Sequence, residues 1–247
     1  MHPDKTPDMK TALVTGATKG IGLAIARMLL REGYYVVITY AHDEAAATRC
    51  RAELEQESPH FELIRADQGE AADRAALVAR LRQRPSVDCL VFNAGITLRK
   101  GLQDFTDAEW ERVLHVNVSA PVFLLRDLFD RIPGDSRIIF IGSQMGIHPH
   151  GTSLAYGVSK SAVHALSCNL VKFFEGTGTT VNTIAPGFVA TEWQKDKPEE
   201  IRRNICAKTA LHRFASVDEI ADAVRFCLNN PFVNGSVLEV NGGYCFR

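Results

Sequence analysis

Tyr156 and Lys160 stand four residues apart in the run Tyr156-Gly157-Val158-Ser159-Lys160. On a helix that spacing puts both side chains on one face, close enough to meet. An ammonium beside a phenol favours the phenolate and draws the tyrosine pKa down from about 10. A tyrosine placed so can serve as a general acid or base. Thirteen residues earlier, Ser143 closes an apolar run and brings a hydroxyl to the same end of the molecule. Asn117 falls inside a long helical stretch, where a short amide competes with the backbone and is unfavourable.

A second constellation is built of glycine. Gly16-Ala17-Thr18-Lys19-Gly20-Ile21-Gly22 follows the first apolar run and opens a helical period. Glycines there permit a tight turn and close approach of the backbone to a pyrophosphate. The helix N-terminus adds free N–H groups and the positive end of its dipole. A dinucleotide site usually ends its second strand with an acid that holds the ribose hydroxyls. Here that strand ends at Thr39-Tyr40-Ala41-His42, and the nearest acid, Asp43, precedes Glu44-Ala45-Ala46 in the manner of a helix N-cap. With Lys19 in the turn to meet a 2′-phosphate and no carboxylate on Tyr40, the expected cofactor is NADP(H).

Positioning these groups takes alternating strands and helices. Strands are expected at Thr11–Thr15, Tyr35–Tyr40, Phe61–Arg65, Val87–Phe92, Arg137–Ile141, Thr180–Ile184 and Val237–Val240. Helical spacing covers Gly20–Arg31, Glu44–Glu57, Ala71–Arg82, Thr106–Leu128, Ala155–Phe174 and Val217–Leu228. Strands apolar on both faces, separated by helices, predict an α/β fold: a single-domain, doubly wound (Rossmann) seven-stranded parallel sheet with helices on both faces. Ligands in such a sheet bind beyond the carboxyl ends of the strands. No linker or repeat divides residues 1–247.

Composition removes other classes. The chain is 46% hydrophobic and 23% charged, and 28 Lys+Arg balance 29 Asp+Glu. That gives no basic footprint for nucleic acid and no polybasic stripe for a membrane. The polar N-terminus has no signal-peptide core, and no apolar run approaches the ~20 residues of a membrane span. The six cysteines form no C-x-x-C pair. A cytoplasmic protein with reduced thiols is expected. His148 and His150 have no partner spaced for a metal, so none is expected.

In order and spacing these motifs resemble the short-chain dehydrogenase/reductase family, from Thr11 to Gly243. The resemblance implies catalytic roles for four residues. Tyr156 is the proton donor and Ser143 the partner of the substrate oxygen. Lys160 holds the ribose and lowers the tyrosine pKa, and Asn117 positions a relay water. It also implies cofactor contacts. Tyr40 is the position that discriminates NADP from NAD. Asp67, followed by Gln68, meets the adenine. Asn93-Ala94-Gly95 lies against the adenine ribose, and Pro186, Gly187, Val189 and Thr191 form the nicotinamide-side loop. A basic residue at Lys19 is similar to the NADP-preferring members.

Residues 191–214 resemble the family's substrate lid. The substrate pocket is expected to draw on Ser143, Gln144, Met145, His148, His150, Phe188 and Trp193. Length and C-terminal pattern are most similar to bacterial 3-oxoacyl-(acyl carrier protein) reductases. That implies an NADPH-dependent reductase of a carrier-protein-linked or small carbonyl compound, in a homotetramer. The carrier-docking basic positions are Gly134 and Thr177 here, with Arg131 and Lys172 about one turn away. The alternatives are a reductase or dehydrogenase of a sugar, polyol, steroid or other small ketone and, more remotely, a non-catalytic NADP(H) sensor.

Overall fold

Every other residue along the central strands is buried on one face of a sheet, and the intervening residues are buried on the other. The computed structural model describes residues 9–149, 151, 153–195, 198–244 and 246, the side chains at 193 and 195 excepted. The strands are β1 (Thr11–Val14), β2 (Tyr35–Tyr40), β3 (Phe61–Arg65), β4 (Cys89–Phe92), β5 (Arg137–Ile141), β6 (Thr180–Pro186) and β7 (Val237–Val240). They form one parallel sheet in the order β3-β2-β1-β4-β5-β6-β7.

Ala12, Val14, Val36, Ile38 and Val91 pack against helices α1 (Gly20–Arg31), α2 (Glu44–Glu55) and α9 (Val217–Asn229). Leu13, Val37, Leu90, Phe92 and Phe140 pack on the opposite face. Their partners there are α3 (Ala71–Leu81), α5 (Ala120–Asp127) and α6 (Leu154–Leu170). The register Leu13↔Val37 and Leu13↔Leu90 keeps each layer in line across the strands. Burying a side chain of this size contributes about 1.5–3 kcal/mol, so the two apolar layers fix the sheet.

Most boundaries fall within two or three residues of the sequence expectation. Two helices differ in kind. The stretch expected as one helix over Thr106–Leu128 is α4 (Asp107–Leu114), a π-helical turn at His115–Ser119, and α5. The other, expected over Ala155–Phe174, gives way to a 3-10 turn at Val171–Phe174. The segment expected as a lid contains α7 (Glu192–Lys195) and α8 (Glu199–Ala207).

Strand order reverses at β1, whose neighbours are β2 and β4. The turns leaving β1 and β4 therefore meet at the carboxyl edge, where a ligand crevice is expected.

Candidate active site

Gly16 has φ +62, and a Cβ there would come 2.9 Å from the Ala94 Cα. Only glycine takes that backbone conformation readily and allows so close an approach. The contact locks the turn after β1 to the turn after β4. Asn93 strengthens it, its Nδ2 donating to the carbonyls of Thr15 and Gly16, both at 2.9 Å. Gln68 Nε2 donates to the carbonyls of Ala94 (3.1 Å) and Val116 (2.8 Å). Both amides, expected at the cofactor, line the cavity but spend these hydrogen bonds on the protein.

Lys19 caps the start of α1 without a side-chain hydrogen bond to it. The first N–H groups of α1 therefore stay available, at Gly20, Ile21 and Gly22 on the cavity wall. The lysine is not the free cation its sequence position suggested. Its Nζ lies 2.6 Å from Asp43 Oδ2 and 3.6 Å from Glu192 Oε2, which holds its pKa above the ordinary lysine value. Asp43 also accepts from the Ala46 N–H, the expected N-cap. Tyr40 donates to Glu44 at 2.8 Å. Asp67 Oδ1 accepts from Gly69 N–H, and Oδ2 lies 3.1 Å from His42 Nε2.

The cavity at this edge measures about 830 Å³, at the upper end of the usual range for ligand sites. Besides Lys19 and the glycines of the turn, it is lined by Tyr40, Asp67, Ala94, Gly95, Pro186, Gly187, Val189 and Thr191. Its other end is lined by Ser143, Gln144, Met145, Tyr156, Lys160 and Phe188. Ile201, Asn204, Ile205 and Lys208 line it as well.

Some expected residues stand elsewhere. Thr18 is buried and does not line the cavity. His148 is turned away, its Nε2 3.1 Å from Glu239 Oε2. His150 and the side chain of Trp193 lie outside the described residues. Thr39, Ile96, Thr97, Arg99, Val116, Ser153 and Gln194 also line the cavity. Those were missed because their contribution depends on packing rather than on a motif.

Tyr156 and Lys160 share the inner face of α6, with Lys160 Nζ 5.5 Å from the centre of the phenol ring. Nζ donates to the Ile141 carbonyl at 2.6 Å, and burial pushes its pKa down to about 8. Helical spacing alone predicts that the lysine lowers the tyrosine pKa. In the structure burial dominates and raises it, while the Ser143 hydroxyl pulls the other way. Ser143 Oγ accepts from Met145 N–H at 3.1 Å, which fixes the serine on the strand end.

Asn117 is buried in the π turn. Its Oδ1 accepts from Ile96 N–H (2.8 Å), and its Nδ2 donates to Ile96 O and Ser159 Oγ (both 2.9 Å). A Cβ on Gly95 would come 3.1 Å from Asn117 Oδ1 and 3.5 Å from Lys160 Nζ. The missing side chain at Gly95 thus opens the cavity beside the lysine. With the uncapped start of α1, this makes a cradle that fits a dinucleotide along one wall. A polar acid–base cluster lies at its far end. Among the described residues no cluster of three or more His, Cys, Asp or Glu is placed to hold a metal ion.

The comparisons settle the family. Residues 10–202 match the model described as short chain dehydrogenase. The chain belongs to the short-chain dehydrogenase family. It is 31% identical to acetoacetyl-CoA reductase of Allochromatium vinosum, covering 95% of this chain and 98% of the relative. It is 32% identical to the 3-oxoacyl-(acyl-carrier-protein) reductase FabG of Escherichia coli, covering 95% and 96%. A Burkholderia cenocepacia short chain dehydrogenase, solved in complex with NADP, superimposes with a TM-score of 0.88. That structure is 28% identical and is matched over 95% of this chain and 97% of its own. No helix among the described residues is long and apolar enough to cross a membrane.

Proposed function

We propose that this protein is a cytoplasmic, NADPH-dependent carbonyl reductase. The observation that carries the reading is Tyr156 and Lys160 on the cavity wall of α6, next to Ser143 at the end of β5. When bound, the nicotinamide supplies the hydride. The Tyr156 hydroxyl donates its proton to the carbonyl oxygen of the substrate. Ser143 Oγ holds that oxygen and stabilises the charge that develops on it, the kind of term that dominates many enzymes. Lys160 holds the ribose hydroxyls, and Ser143 opposes the effect of burial on the phenol. Asn117 fixes the Gly95–Ile96 turn against α6 and keeps a water-mediated proton path to Lys160 open. Gly20, Ile21 and Gly22 at the start of α1 receive the pyrophosphate, and Lys19 faces the 2′-phosphate.

The names of the relatives support a 3-oxoacyl thioester as the first substrate to test. A small polar ketone is the second reading. The uncharged Gly134 and Thr177 favour it, since they offer a carrier protein no cation. Association into a homotetramer fits the apolar side chains left outward near α6, at Leu154, Val158 and Phe173.

Loss of NADPH absorbance with acetoacetyl thioester and a panel of ketones tests the activity. Tyr156→Phe is expected to lower kcat by at least the 10²–10⁴ that general acid catalysis supplies, with NADPH binding retained. Retained turnover in that variant would overturn the assignment, and a wild-type protein that binds NADPH but reduces nothing would point to the sensor.

A further inference from the structure

Asp67 and Gln68, in the turn after β3, line the cavity. The same turn is docked on the π turn that carries Asn117. His115 Nε2 lies 3.2 Å from the Gly69 carbonyl, and a Cβ on Gly69 would come 3.1 Å from Val116 Cγ2. A third tie is the Gln68 amide, whose Nε2 donates to Val116 O at 2.8 Å and to Ala94 O at 3.1 Å. A carboxamide nitrogen carries two donors, so both are spent on backbone carbonyls.

The Val116 carbonyl needs a partner from outside because neither regular helical donor serves it. In an α-helix it would accept from the N–H four residues on, that of Ala120. That N–H donates to His115 O instead, at the five-residue spacing of a π turn. The same spacing assigns Val116 O to position 121, which is Pro121 and has no N–H. Backbone carbonyls of buried segments are almost always paired, and Gln68 pairs this one from a distant element. The other donor of the same amide reaches the turn after β4. There a Cβ on Gly95 would come 3.1 Å from Asn117 Oδ1 and 3.5 Å from Lys160 Nζ. The next residue, Ile96, exchanges two hydrogen bonds with the Asn117 amide. Gln68 thus ties together the two segments that hold Asn117.

We infer that Gln68 is a positioning residue for the proton path. It fixes the π turn against the turn after β4 and so sets where Asn117 stands relative to Lys160. Its side chain acts through Asn117 and not on the adenine, the role that resemblance gave it. The inference rests on the carbonyl-reductase reading and adds a residue to the machinery of that same site. Pro121 is the sequence feature that goes with it, since it takes away the N–H that the Val116 carbonyl would otherwise receive.

The test is the kinetics of Gln68→Met, which keeps the length of the side chain and removes both donors. Titration with NADPH, followed by the fluorescence of the bound cofactor, gives its Kd and counts the binding sites. Taking kcat per site keeps partial unfolding out of the comparison. A misplacement of ~1 Å can cost about 10²-fold in rate, so kcat per site should fall about tenfold or more. The Kd for NADPH should stay within about twofold, whereas loss of an adenine contact would raise it and spare kcat. In Asn117→Ala the tie has nothing left to position. Adding Gln68→Met to that variant should therefore lower kcat by less than about twofold more, because residues in one network are not additive. An unchanged kcat, a loss confined to NADPH affinity, or losses that multiply in the double variant would overturn the inference and leave the reductase reading standing. Absence of NADPH oxidation by the wild type with every carbonyl tried would overturn both. If Gln68→Met does not fold, Gln68→Asn draws the amide back by one methylene and is put through the same measurements, with the same outcomes deciding.

Discussion

His164 shows how one side chain outside every motif can shape the site. It stands one turn beyond Lys160 on α6, buried, with Nε2 accepting from the Ser143 N–H at 3.4 Å. A Cβ on Gly142 would come 2.3 Å from that nitrogen, and one on Gly146 would come 2.7 Å from Cε1. The loop that carries Ser143 thus wraps around the imidazole and needs both glycines to do so. Burial, with the nearby Lys160 charge adding to it, pushes the His164 pKa down to about 4, against a small opposing effect of Glu239. The unfolded chain, with a pKa near 6.5, binds the proton first. Between about pH 6.5 and 4 folding stability should therefore fall as pH falls, because the unfolded state holds more protons there. Urea unfolding of the wild type and of His164→Asn across that window should show a shallower acid slope in the variant. Lys19 carries a separate prediction. If it meets the 2′-phosphate, Lys19→Ala should raise KM for NADPH about tenfold or more, the scale of one charge-assisted hydrogen bond, with little change for NADH. Equal changes for both cofactors would place its role in the Asp43 and Glu192 pairs alone.

The π turn at His115–Ser119 is the element whose form the sequence did not announce. Apolar spacing continues from Thr106 to Leu128, so a regular helix was the natural reading. A π turn spends one extra residue per turn, and its cost is met by contacts from distant segments rather than by local propensity. Here Asn117 meets Ile96 and Ser159, and the Val116 carbonyl accepts from Gln68. Asn117→Ala would leave the part-buried Ile96 N–H and its other partners short of a hydrogen bond. A loss of about 1–3 kcal/mol in urea unfolding is expected for such a group, together with a fall in kcat. A fully stable Asn117→Ala protein would show that the π turn does not depend on that amide. The N-cap at Asp43, by contrast, was legible, because acceptor and donor lie three residues apart.

At the scale of the molecule, the helical face bearing Val158 and Leu154 and the ring of Phe173, 69% exposed, remain open to solvent in the single chain. A homotetramer would cover apolar side chains there. Light scattering should give four times the 27.2 kDa of the chain, and a monomer at micromolar concentration would remove that proposal. Cys50 and Cys227 take no part in such assembly: burial pushes their pKa values up to about 11, which keeps the thiols protonated.

The sequence alone determined the alternation of strands and helices, the doubly wound class, and the glycine turn and Tyr-Lys pair with their order along the chain. Each of these is a local matter of periodicity, turn chemistry or i,i+4 spacing. Only the tertiary structure decided that Lys19 is already paired with Asp43, that His164 sits beneath Ser143, and that Gln144 and Gln194 line one cavity. Those facts depend on which residues, tens of positions apart, are packed together when the sheet closes. Nothing in the spacing of side chains along a strand or helix encodes the partner that arrives from another.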